Sequence, residues 1–96
     1  MKIKKVIQSP NFVRKLKKFH KNQKLILDQR IKELIENPQL GEEKKGDLKG
    51  IFVHKFKIKE QQYLLAYRII KDRLELIMID TRENYYRDLK NYLQHF

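Results

Sequence analysis

The chain has no cysteine in its 96 residues, which excludes a disulfide framework, a thiolate zinc site and a cysteine nucleophile, and fits a reducing cytosol. It also has no apolar run long enough to span a membrane. Met1-Lys2-Ile3-Lys4-Lys5 is not followed by the apolar region of a signal peptide, so the expectation is a soluble, cytoplasmic protein with no membrane partner. No repeat or low-complexity segment breaks the chain. His20 and His95 stand alone without metal-ligand spacing, and no cofactor is expected. The length suits one domain spanning residues 1–96, with a single core and no deep enclosed pocket.

Acid is scarce as well. Lys and Arg number 23 against 12 Asp and Glu, giving a net charge of +11 and a pI near 9.9. Met1 to Lys24 holds nine basic residues and no acidic one. A polyanion is the partner that such a surface attracts: nucleic acid, an anionic membrane face or an acidic protein. Solvated lysine-rich faces on a soluble protein are the plainer alternative, and polyanion binding is the reading preferred here.

The stretch from Gly46 to Leu89 organises the rest. Gly50–Lys57, Gln62–Ile70 and Leu74–Asp80 are rich in branched and aromatic residues and read as three strands. The gaps between them, Lys59-Glu60-Gln61 and Lys71-Asp72-Arg73, suit hairpins, so the strands form an antiparallel meander. Upstream, Lys2–Gln8 reads as a short edge strand. Ser9-Pro10 starts a helix, with Phe12, Leu16 and Phe19 facing the core. After a break at His20-Lys21-Asn22, Gln23–Glu36 forms a second helix with Leu27, Ile31, Leu34 and Ile35 on one stripe, ended by Asn37-Pro38. Gln39–Lys49 has no periodicity and reads as a surface loop. A last helix follows Asp80-Thr81, capped by one of these and carrying Glu83 in its first turn, with Tyr85, Leu89, Tyr92, Leu93 and Phe96 on its stripe. The expected fold is α+β in the order β-α-α-β-β-β-α, a four-stranded, mainly antiparallel sheet with a helical hairpin on one face and a C-terminal helix.

Reactive residue types converge on the sheet and the turn after it. Lys55 and Lys57 share a strand face, and Arg82 follows the last strand. Tyr86, four residues on, should lie one helical turn from Arg82 on the same side. Two lysines and an arginine can bind a phosphodiester and stabilise charge developing on it. A lysine among cations can move a proton, and a tyrosine can orient the phosphate or stack on a base. Each residue also has a plainer role: Lys55 and Lys57 as edge-strand guards, Arg82 as a surface cation, Tyr86 as part of the helix stripe. Alternation places His54 beside Phe52 and Phe56, as a core or near-core residue.

The succession Leu48-Lys49-Gly50, a basic strand, Tyr63-Leu64-Leu65-Ala66-Tyr67-Arg68-Ile69, and Ile79-Asp80-Thr81-Arg82-Glu83-Asn84-Tyr85-Tyr86-Arg87-Asp88-Leu89-Lys90 resembles the RelE/ParE superfamily of type II toxins over nearly the whole chain. The segment from Glu83 to Leu89 looks most like the RelE/StbE branch. The resemblance implies a metal-independent endoribonuclease that cuts messenger RNA in the ribosomal A site. In such enzymes a 2′-hydroxyl attacks the adjacent phosphate. It also implies a cognate antitoxin with an acidic or amphipathic segment, whose complex with the toxin would bind operator DNA. Lys55, Lys57, Arg82 and Tyr86 match site positions by this resemblance, and His54 is similar to histidines that act as acid or base in some branches. Lys15, Lys17, Lys18, Lys44, Lys45, Lys49 and Arg68 are the remaining cations expected at the nucleic acid. Leu64 departs from the pattern, because active members often carry arginine there. Arg68 or Arg82 is expected to substitute, or the protein is a weak nuclease or none. The same fold in the ParE branch inhibits DNA gyrase, and a non-catalytic basic RNA-binding module is the third reading.

Overall fold

The computed structural model describes residues 2–94. In chain order the elements are β1 (Lys5–Gln8), α1 (Pro10–Leu16), α2 (Lys21–Glu36), β2 (Glu42–Glu43), a 3-10 turn (Gly46–Leu48), β3 (Phe52–Ile58), β4 (Gln61–Ile70), β5 (Arg73–Asp80) and α3 (Tyr85–Gln94). The sheet has five strands in the order β1-β5-β4-β3-β2. The meander β3-β4-β5 is antiparallel throughout, as its short turns require. β1 lies at an edge and runs parallel to β5, and the hairpin α1-α2 carries the chain from β1 to β2 at the opposite edge.

Two expectations are corrected. The sheet has five strands because Glu42–Glu43, placed in a loop by its lack of alternation, pairs antiparallel with Val53 and Phe52. A strand of two residues has no period to read. The C-terminal helix begins at Tyr85, so neither Asp80 nor Thr81 caps it and Glu83 lies before its first turn. The Asp80 carboxylate accepts instead from the Thr81 amide at 2.8 Å. Asn84 takes a left-handed φ of 58°, and the Tyr85 amide donates to the Arg82 carbonyl at 3.2 Å. His20 precedes α2 directly, its amide held by the Gln23 side chain at 2.7 Å. His95 and Phe96 lie outside the described residues.

Both faces of the sheet are covered. On one, Phe12 and Phe19 from the first helical segment and Leu27 and Leu34 of α2 pack on Phe56, Tyr63, Leu65, Tyr67, Leu74, Leu76 and Ile79. On the other, Tyr85 and Leu89 of α3 pack with Leu48, Ile51, Val53, Leu64, Ala66, Ile77 and Met78. Residues of β4 alternate cleanly between the two clusters, and those of β5 do not. Ala66 pairs with Met78 and Tyr67 with Leu76, which leaves Ile77 as an extra, bulged residue. Ile77 and Met78 therefore face the same way. The carbonyls freed by the bulge are met by side chains: the Ser9 hydroxyl donates to the Ile77 carbonyl at 2.5 Å and the Tyr85 hydroxyl to the Met78 carbonyl at 2.7 Å.

Candidate functional site

The α3 face of the sheet carries a row running across three strands. Lys55 pairs directly with Leu64, and Leu64 with Asp80. At about 4.8 Å per strand, Lys55 and Asp80 lie some 10 Å apart, with the buried Leu64 between them. Lys57, opposite Gln62, forms the next row on the same face, and both lysines are exposed. The chain leaves β5 at Asp80 and reaches the exposed Arg82 two residues later. Lys55 and Lys57 thus share one sheet face, and Arg82 follows the β5 end of the Lys55 row. Lys15 of α1 joins that end, its ammonium 3.2 Å from Asp80. Asn11, Arg14, Lys17 and Lys18 line the same depression as Lys15 and Asp80.

Tyr86 reaches this face through its neighbour. Tyr85 is buried, and its hydroxyl is bound to Met78 in the opening left by the bulge. Burial pushes this phenol well above its ordinary pKa, with a smaller opposing pull from the Ala66 backbone. Anchored there, Tyr85 turns Tyr86 into an edge-on ring contact at 5.5 Å. Tyr86 is half-buried against the α3-side cluster, and the Lys44 ammonium lies 5.1 Å from its ring centroid. Arg82 precedes α3 and so does not share a helix with Tyr86, contrary to the spacing argument.

The loop that delivers Lys44 is fixed from beneath. The buried Tyr67 hydroxyl donates to the Pro38 carbonyl at 2.7 Å and accepts from the Gly41 amide at 2.8 Å. A Cβ on Gly41 would stand 2.7 Å from that hydroxyl, so glycine is the residue that fits. From this anchor the chain enters β2. Glu42 forms an ion pair with Lys44, and the Lys44 amide donates to the Ile51 carbonyl at 2.8 Å. Lys45 and Lys49 line the depression around Gly46 beyond it. Sequence reasoning missed Glu42, since nothing in a charge-dense stretch distinguishes one carboxylate from the next.

Two expected residues lie elsewhere. Arg68 is on the α3 face but four residues beyond Leu64 along β4, about 13 Å away, and pairs with Glu75 at 2.6 Å. It therefore cannot substitute for a cation at position 64, which leaves Arg82 at that end of the sheet. His54 faces the helical hairpin, stacked on Phe56 at 5.5 Å. Burial lowers its pKa, with Glu33 pulling the other way and Arg30 adding to the drop. Its Nε2 is buried without a hydrogen-bond partner, as is Nε of Arg30. Among the described residues no group of three or more His, Asp or Glu side chains could hold a metal ion, and no helix is long and apolar enough to cross a membrane.

Comparison with solved structures finds the same fold in E. coli RelE. A double arginine-to-alanine mutant of that toxin in the free state aligns with a TM-score of 0.70 at 15% identity, covering 95% of this chain and 96% of that one. The toxin–antitoxin complex RelBE from E. coli aligns with a TM-score of 0.66 at 18% identity, covering 81% and 95%. The isolated E. coli RelE toxin gives 0.63 at 18% identity, covering 91% and 96%. No curated protein matches the sequence. The family model of ParE-like toxins of type II bacterial toxin–antitoxin systems matches residues 6–90. On that match the chain belongs to the RelE/ParE superfamily of type II toxins.

Proposed function

We propose that this toxin is a ribosome-dependent endoribonuclease that cuts messenger RNA in the A site. The reading is supported by Lys55 and Lys57 on a single sheet face, with Arg82 two residues beyond Asp80 at the end of the Lys55 row. A phosphodiester seated there lies among three cations, which stabilise charge as the 2′-hydroxyl oxygen attacks phosphorus and the bond to the 5′-oxygen breaks. The hydroxyl gives up its proton and the departing oxygen gains one, leaving a 2′,3′-cyclic phosphate and a 5′-hydroxyl. Tyr86 flanks the phosphate, and Lys15, Lys17, Lys18, Lys45 and Lys49 extend the positive surface toward ribosomal RNA. Arg68 and His54 are left out of the phosphate site. The partners in this reading are the ribosome, its message and an antitoxin whose acidic or amphipathic segment neutralises the basic face, the pair together binding operator DNA. The similar E. coli RelBE structure is a toxin–antitoxin complex. A ribosomal target places the protein in the cytoplasm.

A second reading, inhibition of DNA gyrase, draws on Leu64. It is 1% exposed in the middle of the row where the resemblance calls for arginine. The test is primer extension on a defined message in a cell-free translation reaction. New 5′ ends within A-site codons, seen only with ribosomes and reduced at least about 100-fold in Lys55→Ala/Arg82→Ala, are expected. Intact message alongside growth arrest and gyrase-dependent DNA breaks would overturn the nuclease reading in favour of the second.

A further inference from the structure

On the α3 face Glu42 stands among the cations next to Tyr86, while Asp80 lies at the far end of the Lys55 row. Glu42 pairs directly with Val53, so its side chain shares the face of Val53 and, one diagonal step along β3, of Lys55. Lys44, two residues on from Glu42, lies on that face too, held between the Glu42 carboxylate and the Tyr86 ring. Glu42 and Lys55 line one depression at the sheet edge, ahead of the start of β2, where the outer side of β3 opens. The lysine is largely enclosed, its side chain 21% exposed, while the Glu42 side chain is 70% exposed.

We propose that Lys44, Lys55 and Tyr86 form a phosphate subsite for the RNA substrate, and that Glu42 occupies it in the free protein and is displaced on binding. The proposal rests on the nuclease reading and adds to it a ligand, Lys44, and a competitor. A carboxylate offers two oxygens and one negative charge, as a phosphodiester does with its non-bridging oxygens, and the same ammonium donors satisfy either. The enclosed lysine has already lost its freedom in folding, so exchanging one anion for another costs it little further ordering. The exposed carboxylate is the mobile partner, free to swing into solvent. Its pairing with Lys44, reinforced by Lys55, lowers its pKa, so it stays charged at neutral pH and must be moved aside as an anion. Glu43 provides an internal contrast. It carries the same charge one residue on, faces the hairpin side opposite Phe52, and makes no ion pair among the described residues.

The test is a titration with inorganic phosphate, followed by NMR at the Tyr86 ring and the Lys44 ε-methylene, in wild type, Glu42→Gln, Glu43→Gln and Glu42→Gln/Lys44→Met. Glu42→Gln should tighten phosphate binding about three- to fivefold, as expected for removing one exposed carboxylate from a lysine. Glu43→Gln should leave it at the wild-type value, and the double variant should lose the gain. In ribosome-dependent cleavage, KM for the message should fall in Glu42→Gln by a similar factor. Equal gains in both single variants would reduce the effect to net charge and overturn the proposal, as would no gain in Glu42→Gln. Cleavage with no phosphate gain sinks the subsite and leaves the nuclease reading standing. A phosphate gain without cleavage in any variant supports the subsite and removes the nuclease.

Discussion

Tyr85 and Tyr86 are adjacent in sequence, yet one is buried with its hydroxyl committed to the Met78 carbonyl and the other offers its ring to Lys44. Removing the Tyr85 hydroxyl strands a buried acceptor at the bulge. Tyr85→Phe should therefore lower the unfolding free energy by about 1–3 kcal/mol, read as a lower urea midpoint with unchanged slope. Tyr86→Phe should stay within about 0.5 kcal/mol. The two differ in pH dependence as well. Burial raises the Tyr85 pKa in the folded state. Once pH passes about 10, the ordinary phenol value, the unfolded chain releases a proton that the folded one keeps. Stability is whole below that pH and declines above it. Tyr85→Phe should flatten this alkaline decline, and a decline unchanged in the variant would assign it to other groups. His54 works in the opposite direction. Its lowered pKa gives stability that is present above about 6.5 and lost as pH falls through its folded value.

At the scale of elements, Ser9 joins β1, α1 and β5. Its hydroxyl accepts from the Phe12 amide at 3.1 Å while donating to the bulged Ile77 carbonyl, and its amide donates to the Leu76 carbonyl at 2.9 Å. Ser9→Ala loses a helix cap and leaves the bulge carbonyl unmet. The expected cost is about 1–2 kcal/mol, or a fall in Tm of about 4–8 °C per kcal/mol in a domain of this size; a shift under one degree in a thermal melt would show that solvent replaces both contacts. The cap was legible in Ser9-Pro10, because capping is chemistry within four residues. The meander and the hairpin were legible for the same reason, and alternation alone put Lys55 and Lys57 on one face. What could not be read depended on distant partners. β2 exists because Tyr67 fixes Gly41 and Val53 offers an edge, and α3 starts at Tyr85 because a hydroxyl finds Met78. Alternation also fixes a face and not a row. It therefore could not show that Arg68 sits at the wrong end of β4, or that a carboxylate from β2 stands among the site cations.

For the whole molecule, two basic areas, the α1 surface and the loop around Lys44, contribute to the charge of +11. Replacing Lys15, Lys17 and Lys18 with glutamine should weaken ribosome binding most at low salt, and reduce the slope of log affinity against log salt by about two to three. The fold should survive, since the one ion pair lost, Lys15 to Asp80, lies at a partly exposed site. An unchanged slope would remove this surface from the footprint. The end of the molecule where these charges meet is set by one uncounted residue. Up to Leu76, β5 keeps step with β4, and after Ile77 it keeps step again with odd and even exchanged. That exchange is what turns Asp80 toward Leu64 and Lys55. Were Ile77 to pair with Ala66 and the bulge to close, the ladder would be more regular and would set Asp80 opposite Tyr63, with the approach to Arg82, upside down on the hairpin side. Better hydrogen bonding would then accompany a dismantled candidate site, so an irregularity that a designer would remove is where this sheet keeps its sense of direction.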